Sequence, residues 1–251
     1  MVKAKVWVLH CGRMHLDRGK FVSPDFLGQK GKDYGKTVDF VAKSIFIDHP
    51  DAKIVMDTGF PVDAKKALGW VPHTVTPEDH VLSRLKELGY TPKDIDIVVL
   101  SHLDTDHASG SQAFKNNHFL IQKECLRYAQ NPYPFLKFDT EYIEGLDLEQ
   151  IHGDYELVRD VHLIYTPGHV PGHQSLMVKL EHSTVMFTFD ACYFKESWTD
   201  GILPGVVYDC GGYWESLQKL RHIAKLEKAK VFTSHDPDEY ESEIKNKLPF
   251  T

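Results

Sequence analysis

The 251-residue chain contains only four cysteines, Cys11, Cys125, Cys192 and Cys210, and no two of them form a Cys-x-x-Cys pair. Scattered thiols of this kind read as free rather than as a disulfide framework. Long apolar runs are also missing. No window approaches ~18 consecutive apolar residues, so no membrane-crossing helix is expected. The N-terminal run Val6–Leu9 is too short for the apolar region of a signal peptide, and no small-residue cleavage site follows it. These absences predict a cytoplasmic protein without a membrane partner. There is no basic excess either. Lys+Arg is 29 against Asp+Glu 36, a formal charge of -7, which argues against a general nucleic-acid binder and against a basic membrane-surface protein. No low-complexity tract and no short repeat is present.

What is present is an ordinary folded composition, 42% hydrophobic and 26% charged, with an unusual 15 histidines. Strands are predicted at Lys5–Leu9, at Phe40–Ile47 and Ile54–Met56 around an Asp48–Asp51 turn, and at the buried run Ile95–Leu100. Three more follow at Val161–Tyr165, Ser175–Leu180 and Thr184–Phe189, with a last short one at Val231–Thr233. Thr76-Pro77-Glu78-Asp79 reads as a helix start: a capping hydroxyl, proline at the first helical position, and acids at the positive end of the dipole. Val81, Leu85 and Leu88 continue it to Gly89. A second helix spans Tyr213–Ala229. Phe21–Thr37 reads as a long loop. The chain therefore reads as one domain of two similar halves, with a seam near 130–153. Its class is α/β, with two sheets packed together and helices outside.

The chemistry concentrates at strand ends. Ser101-His102-Leu103-Asp104-Thr105-Asp106-His107 directly follows the strand Ile95–Leu100, and sites in open α/β sheets lie beyond such ends. His169 follows Val161–Tyr165, Asp190 ends Thr184–Phe189, and His235 ends the last strand. A single histidine after a strand is more often structural. Ligand-type side chains at four strand ends are how a sheet protein assembles a metal site from distant sequence. Seven such residues, His102, Asp104, Asp106, His107, His169, Asp190 and His235, exceed the needs of one tetrahedral ion. They suit two ions with one shared carboxylate, about 3.5–4 Å apart. His and carboxylate without Cys suit Zn, Mn, Fe or Co.

These residues, with Met56-Asp57-Thr58-Gly59, Thr166-Pro167-Gly168-His169-Val170-Pro171-Gly172-His173-Gln174-Ser175 and Asp190-Ala191-Cys192-Tyr193, resemble the metallo-β-lactamase superfamily, and along nearly the whole chain its N-acyl homoserine lactonases. The resemblance implies an αββα sandwich of two mixed sheets with outer helices, and a small-molecule lactone as substrate. It implies one ion held by His102, Asp104 and His169, a second by Asp106, His107 and His235, and Asp190 between them. Tyr193 would sit by the substrate carbonyl or ring oxygen, and Asp106 would accept and return a proton. Asp57 and His173 would support the ligands from behind. Met14, Phe60 and Thr105, with Phe21 and Phe26, are candidate pocket residues. Cys192 reads as a buried spectator thiol.

Asp104 departs from the family, which usually has His there. Two divalent ions bring four positive charges; three Asp ligands and a bridging hydroxide bring four negative ones, so the cluster is formally neutral. A histidine at 104 would leave one positive charge. Zn is the first expectation for the metal, and the added oxygen ligand opens the site to Mn, Fe or Co. The expected reaction is opening of a lactone ring, that of an N-acyl homoserine lactone first, by a hydroxide bridging the two ions, as in quorum quenching. The competing readings are a hydrolase of another lactone or a thioester on the same fold, and a non-catalytic metal-binding protein. Thioester hydrolases of this type usually carry a basic C-terminal helical part, whereas the tail after His235 is short and acidic. Oligomeric state is not legible in the sequence.

Overall fold

The computed structural model of the protein describes residues 1–22, 34–64, 71–132, 140–246 and 248–251. Strands β1 (Lys5–Asp17), β2 (Thr37–Asp48), β3 (Lys53–Met56), β4 (His73–Thr74), β5 (Ile97–Val99), β6 (His118–Gln122) and β7 (Asp147–Ile151) form one sheet in the order β4-β1-β2-β3-β5-β6-β7. Strands β8 (Tyr155–Val158), β9 (Val161–Tyr165), β10 (Gln174–Lys179), β11 (Thr184–Phe187) and β12 (Lys230–Phe232) form the second, in the order β12-β11-β10-β9-β8. Both sheets are mixed: β3, β5, β6 and β7 pair in parallel, as do β11 and β12, and the remaining pairs are antiparallel.

Alternation sorts the side chains into layers. Val41, Ile45 and Ile47 of β2 join Leu163, Leu176, Phe187 and Phe232 in the core between the sheets. Phe40, Ala42 and Phe46 of the same strand face the other way, against Val81 and Leu85 of the helix Val81–Glu87 and Cys125 and Ala129 of the helix Lys123–Gln130. Leu220 and Ala224 of the helix Cys210–Glu227 cover Ile164, Met177 and Met186 on the far side of the second sheet. The result is the expected αββα sandwich. Among the described residues, no helix is long and apolar enough to cross a membrane.

Several boundaries differ from the sequence reading for physical reasons. β1 runs on to Asp17 because a register shift between His10 and Arg13 resets its alternation. The helix expected from Pro77 is a 3-10 turn, Pro77–Asp79, then a fresh helix from Val81. Asp79 Oδ2 accepts from both the backbone N and Oγ1 of Thr76 at 3.0 Å, which closes the first turn. His80 is then extended, and its Nδ1 accepts from the Leu82 N–H to cap the second. β6 and β7 are additional strands; β7 lies inside the interval read as a seam, and the chain passes to the second sheet between Ile151 and Tyr155. Residues 23–33 of the expected loop, with Phe26, lie outside the described residues.

Candidate metal centre

All the sequence-predicted ligands converge at one edge of the sandwich, past the carboxyl ends of β5, β9, β11 and β12. His102, Asp104, His169 and Asp190 form one group and Asp106, His107 and His235 another, each with its ligand atoms within 4.8 Å of one another. The two oxygens of Asp190 divide between the groups. Oδ2 lies 3.7 Å from His102 Nε2 and 3.4 Å from His169 Nε2, while Oδ1 lies 3.2 Å from His107 Nε2 and 2.9 Å from His235 Nε2. Asp104 Oδ2 is 3.6 Å from His102 Nε2 and 3.1 Å from His169 Nε2. Asp106 Oδ2 is 3.4 Å from His107 Nε2 and 3.6 Å from His235 Nε2. Two ligands on one tetrahedral ion with bonds of about 2.0–2.2 Å sit roughly 3.3–3.6 Å apart. The pairs span 2.9–3.7 Å around that spacing, His169–Asp104 at 3.1 Å and His235–Asp190 at 2.9 Å lying closer, at hydrogen-bond distance.

The imidazoles are held so that each turns the same nitrogen inward. His102 Nδ1 lies 2.9 Å from Ser101 Oγ, whose own proton goes to Asp57 Oδ2 at 2.6 Å. His107 Nδ1 lies 2.7 Å from Asp57 Oδ2, His169 Nδ1 2.9 Å from the Tyr193 hydroxyl, and His235 Nδ1 3.1 Å from the Val41 carbonyl. Tyr193 donates onward to the Val206 carbonyl at 3.3 Å, so its oxygen is free to accept from His169. Each Nδ1 is therefore the N–H donor, which leaves Nε2 of a neutral ring as a lone pair facing carboxylates. Two such lone pairs, on His102 and His107, are buried with no hydrogen-bond partner among the described residues. A lone pair facing an anion is repulsive unless a cation or proton lies between them, and this donor chemistry fits two divalent ions.

Electrostatics point the same way. Burial lowers the affinity of His107 for a proton, but the charges of Asp106, Asp190 and Asp57 outweigh it and raise its pKa well above the usual value. His169 is likewise raised: burial opposes, and Asp104 and Asp190 prevail. Burial would raise Asp190, yet His235 and His107 hold it well below the carboxylate range. Asp104 is also held low, burial being overcome by His102 and His169. The centre attracts positive charge and, without metal, retains protons. Asp104 is its most open member, with a side chain 31% exposed against 5% for Asp190, so solvent reaches the first group from the Asp104 side.

Two glycines let the loop of His169 and His173 pack so closely. A Cβ on Gly168, at φ +139, would lie 2.2 Å from the Tyr213 backbone nitrogen, and one on Gly172, at φ +74, 2.2 Å from that of Cys125. His173 is fully buried with its ring 5.2 Å from that of His102, but its Nδ1 bonds to Thr166, 2.9 Å from Oγ1 and 3.1 Å from the carbonyl. Burial, with the nearby rings of His102 and His169, holds it neutral, its pKa well below the usual value. Met14 pairs with Phe40 and is buried in the outer core of the first sheet with Phe60 and Tyr193. The Phe21 ring lies tilted 4.4 Å from that of Phe40 and edge-on 5.2 Å from that of Tyr193, and Thr105 opens the helical turn Thr105–Ala108, half-buried. Cys192 is buried, and burial pushes its thiol well up. Ser101, Ser234 and the Val41 carbonyl also belong to the site. Ser234 Oγ donates to Asp190 Oδ1 at 2.6 Å, and none of the three carries a sequence signal of that role.

The chain belongs to the metallo-β-lactamase superfamily, whose profile it matches over residues 38–235. Within it, the chain is similar to N-acyl homoserine lactonases: 33% identical to one from Bacillus cereus, over 94% of each chain, and 32% identical to N-acyl homoserine lactonase AiiA of Bacillus thuringiensis subsp. kurstaki, over 96% of this chain and 97% of the other. Among solved structures, it superposes with a TM-score of 0.87 at 31% identity, over 99% of both chains, on an N-acyl homoserine lactone hydrolase with the product N-hexanoyl-L-homoserine bound at its catalytic metal centre.

Proposed function

We propose that this protein is a metal-dependent hydrolase that opens the ring of N-acyl homoserine lactones, with zinc as the first candidate for its two ions. The observation that carries the reading is the set of four imidazoles, each with Nδ1 engaged, whose Nε2 atoms meet three carboxylates in two groups that share Asp190. The similarity to named lactonases along nearly the full length supplies the substrate class. His102, Asp104 and His169 would hold one ion and Asp106, His107 and His235 the other, with one oxygen of Asp190 to each. When bound, such ions polarise an ester carbonyl and make water acidic enough to act as a nucleophile near neutral pH.

The chain's own residues supply the rest. Ser101, Asp57, Tyr193 and Val41 keep the four rings in one tautomer, so no reorganisation is needed as substrate arrives. Burial, with the charges of Asp190 and its neighbours, holds the Tyr193 hydroxyl protonated. Its bond to Val206 is long, at 3.3 Å, and the same proton serves as a donor to the lactone carbonyl oxygen as negative charge builds there. Asp106 accepts a proton during attack and returns it to the leaving alkoxide. The test is ring opening of short- and long-chain acyl homoserine lactones, followed by proton release, with protein loaded separately with Zn, Mn, Co and Fe(II). Opening with at least one metal supports the proposal. Folded, loaded protein that leaves these lactones intact but cleaves another lactone or a thioester would reassign the substrate.

A further inference from the structure

Two glutamines, Gln122 and Gln174, have no part in the chemistry just described, yet both are fully buried. Gln122 ends β6 and Gln174 opens β10, on the faces that Leu120 and Leu176 turn to the core between the sheets. A primary amide in such a place is costly unless its hydrogen bonds are met. Here they are met in one chain. Gln174 Nε2 donates to the Leu100 carbonyl at 2.8 Å, and its Oε1 accepts from Gln122 Nε2 at 3.0 Å. Gln122 Nε2 also donates to the Gly153 carbonyl at 2.8 Å, and its Oε1 accepts from the Gly153 N–H at 3.0 Å. The backbone fixes how both amides point, because the Leu100 carbonyl can only accept and the Gly153 N–H can only donate. The chain runs from the end of β5, through the start of β10 and the end of β6, to the crossing between the sheets.

Gln174 stands between two ligand segments. Its backbone N–H donates to the Ser101 carbonyl at 3.1 Å, and Ser101 precedes His102 and holds its Nδ1. On the other side, the Thr166 N–H donates to the His173 carbonyl at 2.9 Å, closing the loop that carries His169 and ends directly before Gln174. His102 comes from one sheet and His169 from the other, and their rings meet at right angles with centroids 4.8 Å apart. The second ligand group spans the sheets through a different contact. There the His235 carbonyl accepts from the Val41 N–H at 3.2 Å, and His235 Nδ1 donates to the Val41 carbonyl at 3.1 Å.

We infer that Gln174, braced by Gln122, is a positioning residue that sets the separation of His102 and His169, and so governs the affinity of the first ion without governing that of the second. The inference rests on reading the seven side chains as a two-metal site. An apolar side chain of the same size would fill the space, but packing alone tolerates small slides of the β5 end against the His169 loop. A directional bond in a buried, satisfied network does not.

Stepwise Zn²⁺ binding to the full-length protein, measured by competition with a chromophoric chelator, reads this directly. Gln174→Met keeps the volume and the backbone bond to Ser101 and removes the amide. One of its two ions is expected to bind on the order of tenfold more weakly, and the other as in wild type. His169→Ala, which removes a ligand of the first group, identifies the weakened ion: adding Gln174→Met to it should leave the remaining ion bound as in His169→Ala alone. Two ions weakened alike, neither weakened, or a double variant that binds its remaining ion more weakly than His169→Ala overturns the inference. If Gln174→Met fails to fold, Gln174→Asn, whose amide is one methylene short of the Leu100 carbonyl, is measured against the same outcomes. Wild-type protein that does not bind two Zn²⁺ would instead refute the two-metal reading, a failure distinct from that of Gln174.

Discussion

Asp57 offers the sharpest test of how the ligand rings are held. It is fully buried, and its carboxylate accepts three hydrogen bonds, from the Ser101 N–H at 2.7 Å, Ser101 Oγ at 2.6 Å and His107 Nδ1 at 2.7 Å. Its backbone is left-handed, φ 61, a conformation asparagine also tolerates. Asp57→Asn therefore changes the side chain's charge and donors with little backbone strain. An amide placed with its oxygen toward the Ser101 N–H points its NH₂ at His107 Nδ1, which must then accept. The His107 proton moves to Nε2, the atom that faces Asp106 and Asp190. Losing a charge-assisted bond of this kind costs about 1.5–3 kcal/mol. Losing the outer partner of a metal-ligating histidine typically weakens metal binding ~10–100-fold, about 1.4–2.7 kcal/mol. Chelator competition should show that weakening, and metal-free Asp57→Asn should melt below metal-free wild type. Zn²⁺ binding equal to wild type would refute the argument that Nδ1 partners set the ligand tautomers.

Three further outcomes are expected. Tyr193→Phe removes the group 2.9 Å from His169 Nδ1 and the donor proposed for the carbonyl; Zn²⁺ affinity should weaken ~10–100-fold and turnover in excess metal should fall ~10²-fold, and no change in either would remove both roles. Asp104→His should shift metal preference toward Zn over Mn and move the acid limb of the pH–rate profile downward, measured with each metal in turn; no change in either would dismiss the charge argument for Asp104. Metal-free protein should lose stability as pH rises. His107 and His169 have raised folded-state pKa values, so their contribution is full below about 6.5 and is lost as pH climbs through those values. Asp190 is depressed, so its contribution is present above about 3.8 and fades only as pH falls through its folded value. Melting in chelator from pH 6 to 9 should decline, and excess Zn²⁺ should remove the decline.

The candidate ligand residues were readable only as a set: one His or Asp past an apolar run says little, but such side chains at four strand ends point to a shared site. The sandwich followed from runs such as Ile95–Leu100, whose composition admits little but a buried strand. The partners of the ligands were not readable. Ser101, Val41 and Ser234 act through atoms that every serine or peptide carries, and only the fold decides which of them meets an imidazole. Strand β7 was missed because an edge strand, Asp147-Leu148-Glu149-Gln150-Ile151, buries so little that its sequence looks like a loop. β1 was cut short at the bulge that breaks its period of two.

The most direct test is a titration of metal-free protein with Zn²⁺, with bound metal and ring opening of an N-acyl homoserine lactone followed in the same sample. Two groups joined through Asp190 predict about two ions per chain and ring opening that lags over the first equivalent and rises with the second. Full opening at about one equivalent, or a folded chain holding about two ions that leaves the lactone closed, would contradict it.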